Sequence, residues 1–199
     1  MEAARRIEDF RHGRVPRVVR ERQLVELGEE LFAERGFAKA SMDELARRAG
    51  VTKPVIYELF GSKEGLFRAC LEGLALRLAE TIADAARAEQ DPESRLRAGG
   101  LAFLRFAQEN RVAYELLYEG RFSDAAVTVR KRQATLILEL MREMAPDDVD
   151  PRELEVAAHA VNSAYEGVAH WMWEHPEIEV ERLADWTVEL LLPGLRRFT

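Results

Sequence analysis

The sequence predicts an all-α protein of roughly nine helices. Glycine and proline are sparse, with 12 and 7 among 199 residues. No long stretch alternates apolar and polar side chains at the period of two that marks a half-buried strand. A content of 47% apolar and 33% charged residues is typical of a folded globular chain.

The chain begins with a basic segment and a first helix. Residues 1–16 carry four arginines and few apolar anchors, so we expect a flexible basic arm there. Over residues 17–35, leucine and phenylalanine recur at helical spacing, and Gly36 ends the pattern. The apolar side of this helix is expected to pack behind the elements that follow.

Residues 41–60 have the pattern of two short helices joined by a tight turn. Ser41 precedes a glutamate by three positions, which is a capping box, and Gly50 suits the left-handed conformation that ends a helix. Thr52 caps the second helix, with Pro54 in its first turn, where a missing N–H costs nothing. The pattern is either an ordinary helical hairpin or a helix-turn-helix, whose second helix enters the DNA major groove.

A long helix connects this motif to the rest of the chain. It is capped by Ser62, extends to around Glu89 and ends before Asp91 and Pro92. Apolar periodicity and helix-breaking residues then predict five further helices, at residues 92–108, 111–119, 122–144, 151–175 and 178–192.

The last two of these helices carry more apolar surface than one core contact requires. The helix at 151–175 has two neighbouring apolar stripes, and the helix at 178–192 has a similar excess. One stripe is expected to face the protein's own core and the other a second copy of the chain. The candidate dimer-interface residues are Ala160, Ala164, Gly167, Leu183, Trp186 and Leu190.

Composition sets bounds on location and binding. Cys70 is the only cysteine, which excludes an internal disulfide and is typical of a reducing compartment. The first residues lack a signal-peptide core, and no apolar stretch approaches the roughly 18 residues of a membrane span, so we expect a soluble cytoplasmic protein.

The net charge of −7 is unevenly distributed along the chain. The first 66 residues carry 13 basic and 12 acidic side chains, so the negative charge lies in the remainder. This leaves the first 66 residues free to form a positive face.

The residues around the motif point to a known family. Their spacing is ungapped, and they are Leu31, Phe32, Gly36, Phe37, Met42, Leu45, Ala46, Ala49, Gly50, Val51, Ile56, Tyr57, Phe60, Ser62, Lys63, Glu64, Leu66 and Phe67. With them, residues 17–77 resemble the DNA-binding domain of the tetracycline-repressor (TetR) family of bacterial transcriptional regulators. The resemblance implies a DNA-binding domain at 17–77 and a helical ligand-binding and dimerisation domain at 78–199.

The resemblance also implies how DNA is bound. A homodimer would place two recognition helices in successive major-groove faces of double-stranded DNA and bind a palindromic operator. The candidate DNA-contacting residues are Ser41, Thr52, Lys53, Pro54, Val55, Tyr57, Glu58, Ser62 and Lys63. Tyr57 is alternatively a half-buried core residue, and Glu58 alternatively faces solvent or pairs with an arginine. The arm at 1–16 is either a plain tail or a minor-groove contact.

A small effector is implied as well, and it would release the DNA by tilting the long helix that begins at Ser62. The candidate ligand-binding residues are Phe103, Phe106, Tyr114, Tyr118, Asn162, Tyr165, His170 and Trp171. Each aromatic residue among them is alternatively plain core. Because no cluster of charges singles out an ionic ligand, we expect an apolar or aromatic effector.

Two other classes of function remain open from the sequence. The four histidines show no metal-ligand spacing, and no nucleophile motif or phosphate-binding loop is present, so we predict no catalytic residue, metal or cofactor. An all-α enzyme is therefore disfavoured. A dimeric interaction module without DNA binding is the other alternative, and it is favoured by Glu58, Leu59 and the acidic balance. The sequence as a whole favours a DNA-binding, ligand-responsive repressor, although it does not distinguish repression from activation.

Overall fold

The computed structural model describes residues 15–111, 114 and 123–198, with the backbone alone for residues 123–129. All regular structure in these ranges is helical, which confirms the all-α class. The predicted arm at 1–16 and the predicted helix at 111–119 fall almost wholly outside the described residues, as does Tyr118. The helices are α1 (Arg17–Lys39), α2 (Met42–Ala49), α3 (Lys53–Phe60), α4 (Lys63–Arg87), α5 (Pro92–Glu109), α6 (Ser123–Arg142), α7 (Pro151–Met172) and α8 (Val180–Leu195), followed by a 3-10 turn (Arg196–Phe198).

The chain divides into two compact units, Met1–Leu74 and Ala75–Thr199. The division falls within α4, which contributes its first half to one unit and its second half to the other. The sequence-based boundary, between residues 77 and 78, lies in the same helix.

The first unit is built on the apolar sides of α1, α2, α3 and the start of α4. Leu31, Leu45, Ile56 and Leu66, one from each helix, are completely buried. The ring of Phe32 meets that of Phe67 edge-on, with centroids 4.9 Å apart. Short helices such as α2 and α3 are marginal alone, so we expect the shared burial of these side chains to stabilise them.

Three turns link these helices, and two of them contain a glycine with positive φ, Gly50 after α2 and Gly61 after α3. Gly50 has the left-handed conformation (φ 64°, ψ 35°) that its place after α2 predicts. Gly36 (φ 70°, ψ 161°) interrupts α1 rather than ending it, because the chain resumes helical geometry up to Lys39. The capping predictions were partly wrong: Ser41 and Thr52 occupy N-cap positions without a side-chain hydrogen bond. Ser62 does cap α4, since its Oγ accepts from the Gly65 N–H at 3.0 Å.

The second unit packs the second half of α4 with α5, α6, α7 and α8. Helices α6 and α7 are antiparallel neighbours: Arg130 near the start of α6 bonds to Glu166 near the end of α7. Asp91 and Asp150 cap α5 and α7 by accepting backbone N–H groups at 2.9 and 2.8 Å, each followed by proline at the first helical position. None of the described helices has the length and apolar character needed to cross a membrane.

Candidate nucleic-acid interface and ligand cavity

Helix α3 is anchored on one side and open on the other. Ile56 is completely buried and fixes the helix against the first unit. In contrast to Ile56, the Lys53 side chain is 42% exposed and Tyr57 is 38% exposed, so Tyr57 is not a buried core residue. Thr52, Pro54 and Glu58 are exposed as well, and Val55 is half-buried. The candidate contact residues of α3 therefore share one accessible surface.

Lys53 has a partner that sequence reasoning missed. Its Nζ donates to Oδ2 of Asp43 on α2 at 3.0 Å. The hydrogen bond and the negative charge of Asp43 raise the pKa of Lys53. Asp43 is thus a charged hydrogen-bond partner for the ammonium of Lys53, one of the predicted DNA-contacting groups. The two residues are ten positions apart on different helices, so helical spacing does not reveal the pair.

Glu58 and Lys63 flank this surface in different ways. Glu58 faces solvent, as one of the sequence alternatives holds, and its charge acts on Arg17, whose Nε donates to Glu21 at 2.7 Å. Lys63 lies over the ring of Phe37, 4.8 Å from its centroid, and its Nζ donates to the Ala38 carbonyl at 3.4 Å. The ammonium of Lys63 is therefore held beside the end of α1. Ser41 is exposed, and Ser62 is half-buried.

The second unit encloses a cavity of about 110 Å³. Its walls come from the end of α4, from α5, α6 and α7, and from the end of α8 with Phe198. Helix α6 contributes a stripe of Gln133, Leu136, Ile137, Leu140 and Met141, and Met144 follows just beyond the end of the helix. None of these is among the predicted ligand contacts, although their spacing of three and four residues marks one helical face.

A few polar groups interrupt the apolar wall. The Tyr165 hydroxyl donates to the Leu96 carbonyl at 3.3 Å, and burial raises the pKa of Tyr165. Asn162 is 7% exposed and its amide donates to Glu166 at 2.7 Å. Gln133 is also buried. Arg95 is the only charged side chain among the described lining residues. The cavity therefore suits a mainly apolar occupant with few, localised polar contacts.

The predicted ligand residues separate into two groups in the described structure. Phe103, Asn162 and Tyr165 line the cavity, whereas Phe106, Tyr114, His170 and Trp171 do not. Tyr114 is completely buried and meets the rings of His170 and Trp173 edge-on, at 5.4 and 5.1 Å. Trp171 is 42% exposed and stacks on His175 at the surface. Aromatic spacing along one helix does not decide which rings face inward.

The predicted dimer residues lie outward with one exception. Ala160 and Gly167 on α7 are exposed and Ala164 is half-buried, while Trp186 and Leu190 on α8 are 45% and 82% exposed. Leu183 is a correction, because it is only 3% exposed and belongs to the protomer's own core. It packs inward with Val180 and Ala184, whereas Leu190, two turns further along nearly the same side of α8, is exposed.

Within the described ranges, no three His, Cys, Asp or Glu side chains are grouped so as to hold a metal ion. Cys70 is buried, and its thiol donates to the Val25 carbonyl at 3.5 Å, as expected for a small core residue.

The geometry of the first unit, a short exposed helix braced by another across a glycine turn, defines a helix-turn-helix DNA-binding protein.

Comparison with known proteins specifies the family. Residues 24–70 match the model of "Bacterial regulatory proteins, tetR family", and residues 92–194 match "Tetracyclin repressor-like, C-terminal domain". The chain is 30% identical over 196 residues to the HTH-type transcriptional activator FasR of Mycolicibacterium smegmatis, covering 93% of this chain and 87% of that protein. It therefore belongs to the tetR family of bacterial regulatory proteins. It is a DNA-binding transcriptional regulator and not an enzyme.

Solved structures agree with this assignment. A TetR-like regulator from Rhodococcus sp. RHA1 superposes with a TM-score of 0.65 at 33% identity, covering 92% of this chain and 99% of that one. The regulator FadR of Bacillus subtilis, solved in complex with stearoyl-CoA, superposes with a TM-score of 0.68 at 15% identity, covering 87% and 98%. The second likeness concerns the fold alone.

Proposed function

We propose that this regulator is a homodimeric repressor that binds a palindromic operator and leaves it when a small apolar ligand enters the cavity of the second unit. The observation that carries the proposal is the pairing, in one chain, of an exposed α3 surface with a separate apolar cavity. Each feature suits one of the two binding partners, DNA and effector.

The DNA side of the proposal depends on Lys53 and Tyr57. Both are exposed on α3 and four residues apart, so they share one side of the helix. The ammonium and the phenol are groups that bind phosphate oxygens, and Pro54 and Val55 at the start of α3 offer apolar contacts suited to thymine methyl groups. Because Lys53 is the one positive residue of α3, a second copy of the chain would double the contacts available for firm and specific binding.

The proposed dimer uses the outward sides of α7 and α8. Ala160 and Gly167 are small, so a partner helix can approach closely there, and Trp186 and Leu190 supply large apolar groups that lack cover in one protomer. Two helices from each copy would form a four-helix interface. This symmetry would present two α3 helices to the two halves of a palindrome.

The proposed effector is apolar, because apolar side chains dominate the cavity wall. The stearoyl-CoA bound by FadR of B. subtilis makes a long acyl chain one reasonable occupant here. Helix α4 contributes Ile82 and Ala86 to the wall, and the same helix begins at Lys63, directly after the motif. A ligand that shifts the second half of α4 would thereby affect the position of α3.

Selection of binding sites from random double-stranded DNA tests the DNA side. We expect one inverted repeat to be enriched by the wild type and equally by Lys131→Ala, a matched loss of a lysine that is exposed in the second unit. Lys53→Ala should bind the selected repeat about tenfold more weakly or worse. Failure to enrich any repeat even at low salt would favour the alternative of an interaction module.

A transcription assay tests whether the protein represses or activates its promoter. A promoter carrying the selected repeat should be silenced by the protein and restored by an apolar ligand that releases the DNA. Since FasR of M. smegmatis is named an activator, increased transcription on protein binding is the opposite outcome, and it would overturn repression while leaving DNA binding intact.

A further inference from the structure

The charge at one end of the cavity points to the chemistry of the ligand's head. Arg95 lies at the start of α5, beside Pro92, and its side chain is 20% exposed. About two turns further along α5, Phe103 is almost completely buried, and so is Gln133 in the middle of α6. The lining is therefore partly open and cationic at Arg95 and closed further along these helices.

Arg95 does not stand alone at the open end. Its Nη1 donates to Glu143 Oε2 at 2.9 Å, and its Nε donates to the Glu89 carbonyl at 3.0 Å. Arg87, at the end of α4, donates from Nη2 to Glu143 Oε1, also at 2.9 Å. Glu143, directly after α6, is thus one carboxylate shared by two guanidinium groups, and we call these three residues the Arg87–Glu143–Arg95 clasp.

The clasp carries an excess of positive charge. Two guanidinium groups face one carboxylate, and the hydrogen bonds from Arg87 and Arg95 hold the pKa of Glu143 below its ordinary value. The planar fork of arginine matches a carboxylate or a phosphate better than any other ligand group. Glu143 therefore occupies a position that an external anion of the same chemistry is able to take.

The length of the cavity wall suits an alkyl chain attached to such an anion. Along α6, the lining extends from Gln133 to Met141, which is about 12 Å at the helical rise of 1.5 Å per residue, and Met144 continues it beyond the helix. Met144 adjoins Glu143 in sequence and lines the same cavity as Arg95, so the apolar wall and one guanidinium of the clasp belong to one cavity. An extended alkyl chain would lie in the apolar part while its head remained at the partly exposed end.

We propose that the effector is an anionic amphiphile, whose alkyl chain fills the cavity and whose carboxylate or phosphate binds Arg95 and Arg87 in place of Glu143. This inference rests on the proposed function only in taking the cavity as the effector site. Glu143 ties the end of α4 and the start of α5 to the end of α6, and the head group would join Arg87 to Arg95 without that tie. Head-group binding is then the step that releases the end of α4 from α6.

Ligand binding to the full-length protein without DNA tests the inference. The probes are laurate, lauroyl-CoA and dodecanol, which share one chain length and differ in the head. By calorimetric titration, we expect at least one anionic probe to bind about tenfold or more tightly than dodecanol, because only an anion gains charge-assisted hydrogen bonds. Preference for laurate would identify a carboxylate head, and preference for lauroyl-CoA a phosphate-bearing one.

Three variants test the role of the clasp. Arg95→Gln should lower the affinity for the anionic probe towards that for dodecanol. Glu143→Gln should raise the affinity for the anionic probe several-fold, because it removes the internal carboxylate that competes for the arginines. Arg105→Gln is the matched control, since Arg105 pairs with Glu181 on the surface and does not line the cavity. Equal affinity for laurate, lauroyl-CoA and dodecanol, or weaker anion binding by Glu143→Gln, would overturn the inference.

The outcome is separable from that of the proposed function. If the anionic probe binds as described but never releases DNA, the proposed regulation fails and the head-group assignment stands. If an uncharged apolar compound releases DNA while all three probes fail to bind, the regulation stands and this inference fails.

Discussion

Gly100 provides a sharp test of how the cavity wall is built. A Cβ placed on Gly100 would lie 2.0 Å from Cζ and 2.1 Å from the hydroxyl oxygen of Tyr165. Carbon atoms in contact stay about 3.5–4.0 Å apart, so in Gly100→Ala the ring must move by about 1.5 Å or more. Tyr165 is 4% exposed, which leaves the cavity as the space into which its ring moves.

The expected change in the free energy of unfolding follows from three contributions. Crowding in a packed core costs about 1–3 kcal/mol, and loss of the Tyr165 hydroxyl bond to the Leu96 carbonyl costs about 1 kcal/mol more. The higher helix propensity of alanine than of glycine inside α5 offsets this by about 1 kcal/mol of stabilisation. We therefore expect Gly100→Ala to destabilise the protein by about 1–3 kcal/mol.

The neighbouring Gly99 supplies the control. A Cβ there would meet Ala86 Cβ and Ile82 Cγ2 at 3.5 Å, which are ordinary contacts. Gly99→Ala should therefore be neutral or stabilise by up to about 1 kcal/mol through helix propensity. Urea unfolding followed by circular dichroism measures both variants. Equal stability of the two variants, or a gain for Gly100→Ala, would refute the packing of Tyr165 against α5.

Three further predictions concern the first unit and the dimer. Gly65→Ala should lower the stability of the first unit by about 2 kcal/mol or more, since its Cβ would lie 2.0 Å from the Phe60 carbonyl oxygen; an unchanged melting curve would contradict this contact. Asp43→Asn should tighten operator binding about two- to fivefold at low salt, measured by fluorescence anisotropy, because Lys53 loses its internal anion; an unchanged affinity would argue that Lys53 does not contact DNA. Leu190→Glu should yield a monomer in sedimentation, since this 82% exposed residue belongs to the proposed interface and a carboxylate buried there would be costly; a persistent dimer would place the interface elsewhere.

The elements of the first unit could be predicted because their signals are local. The turn at Gly50 and the cap at Ser62 each depend on residues within about four positions, the range over which helical geometry acts. The hydroxyls of Ser41 and Thr52 were predicted to cap and do not. Both residues are exposed, so water offers their hydroxyls competing partners that sequence spacing does not represent.

The functional surfaces were predicted less completely, for a different reason. Phe103 and Trp171 both recur at helical spacing, yet one lines the cavity and the other stacks on His175 at the surface. Leu183 and Leu190 lie on the same helix and have opposite exposure. Which side of a helix is covered depends on the other helices that pack against it, and periodicity within one helix does not identify them.

From its sequence alone, this chain is specified as all-helical, as the bearer of a helix-turn-helix, and as a relative of bacterial regulators. The first two properties arise from propensity, periodicity and turn chemistry among near neighbours, and the third from the resemblance of residues 17–77 to a known family. Tertiary structure alone decided the cavity, the hold of Asp43 on Lys53, and the clasp, in which Glu143 meets Arg87 and Arg95 from 56 and 48 residues away. Contacts of that kind form only when packing brings distant helices together, because the geometry of neither helix encodes its partner.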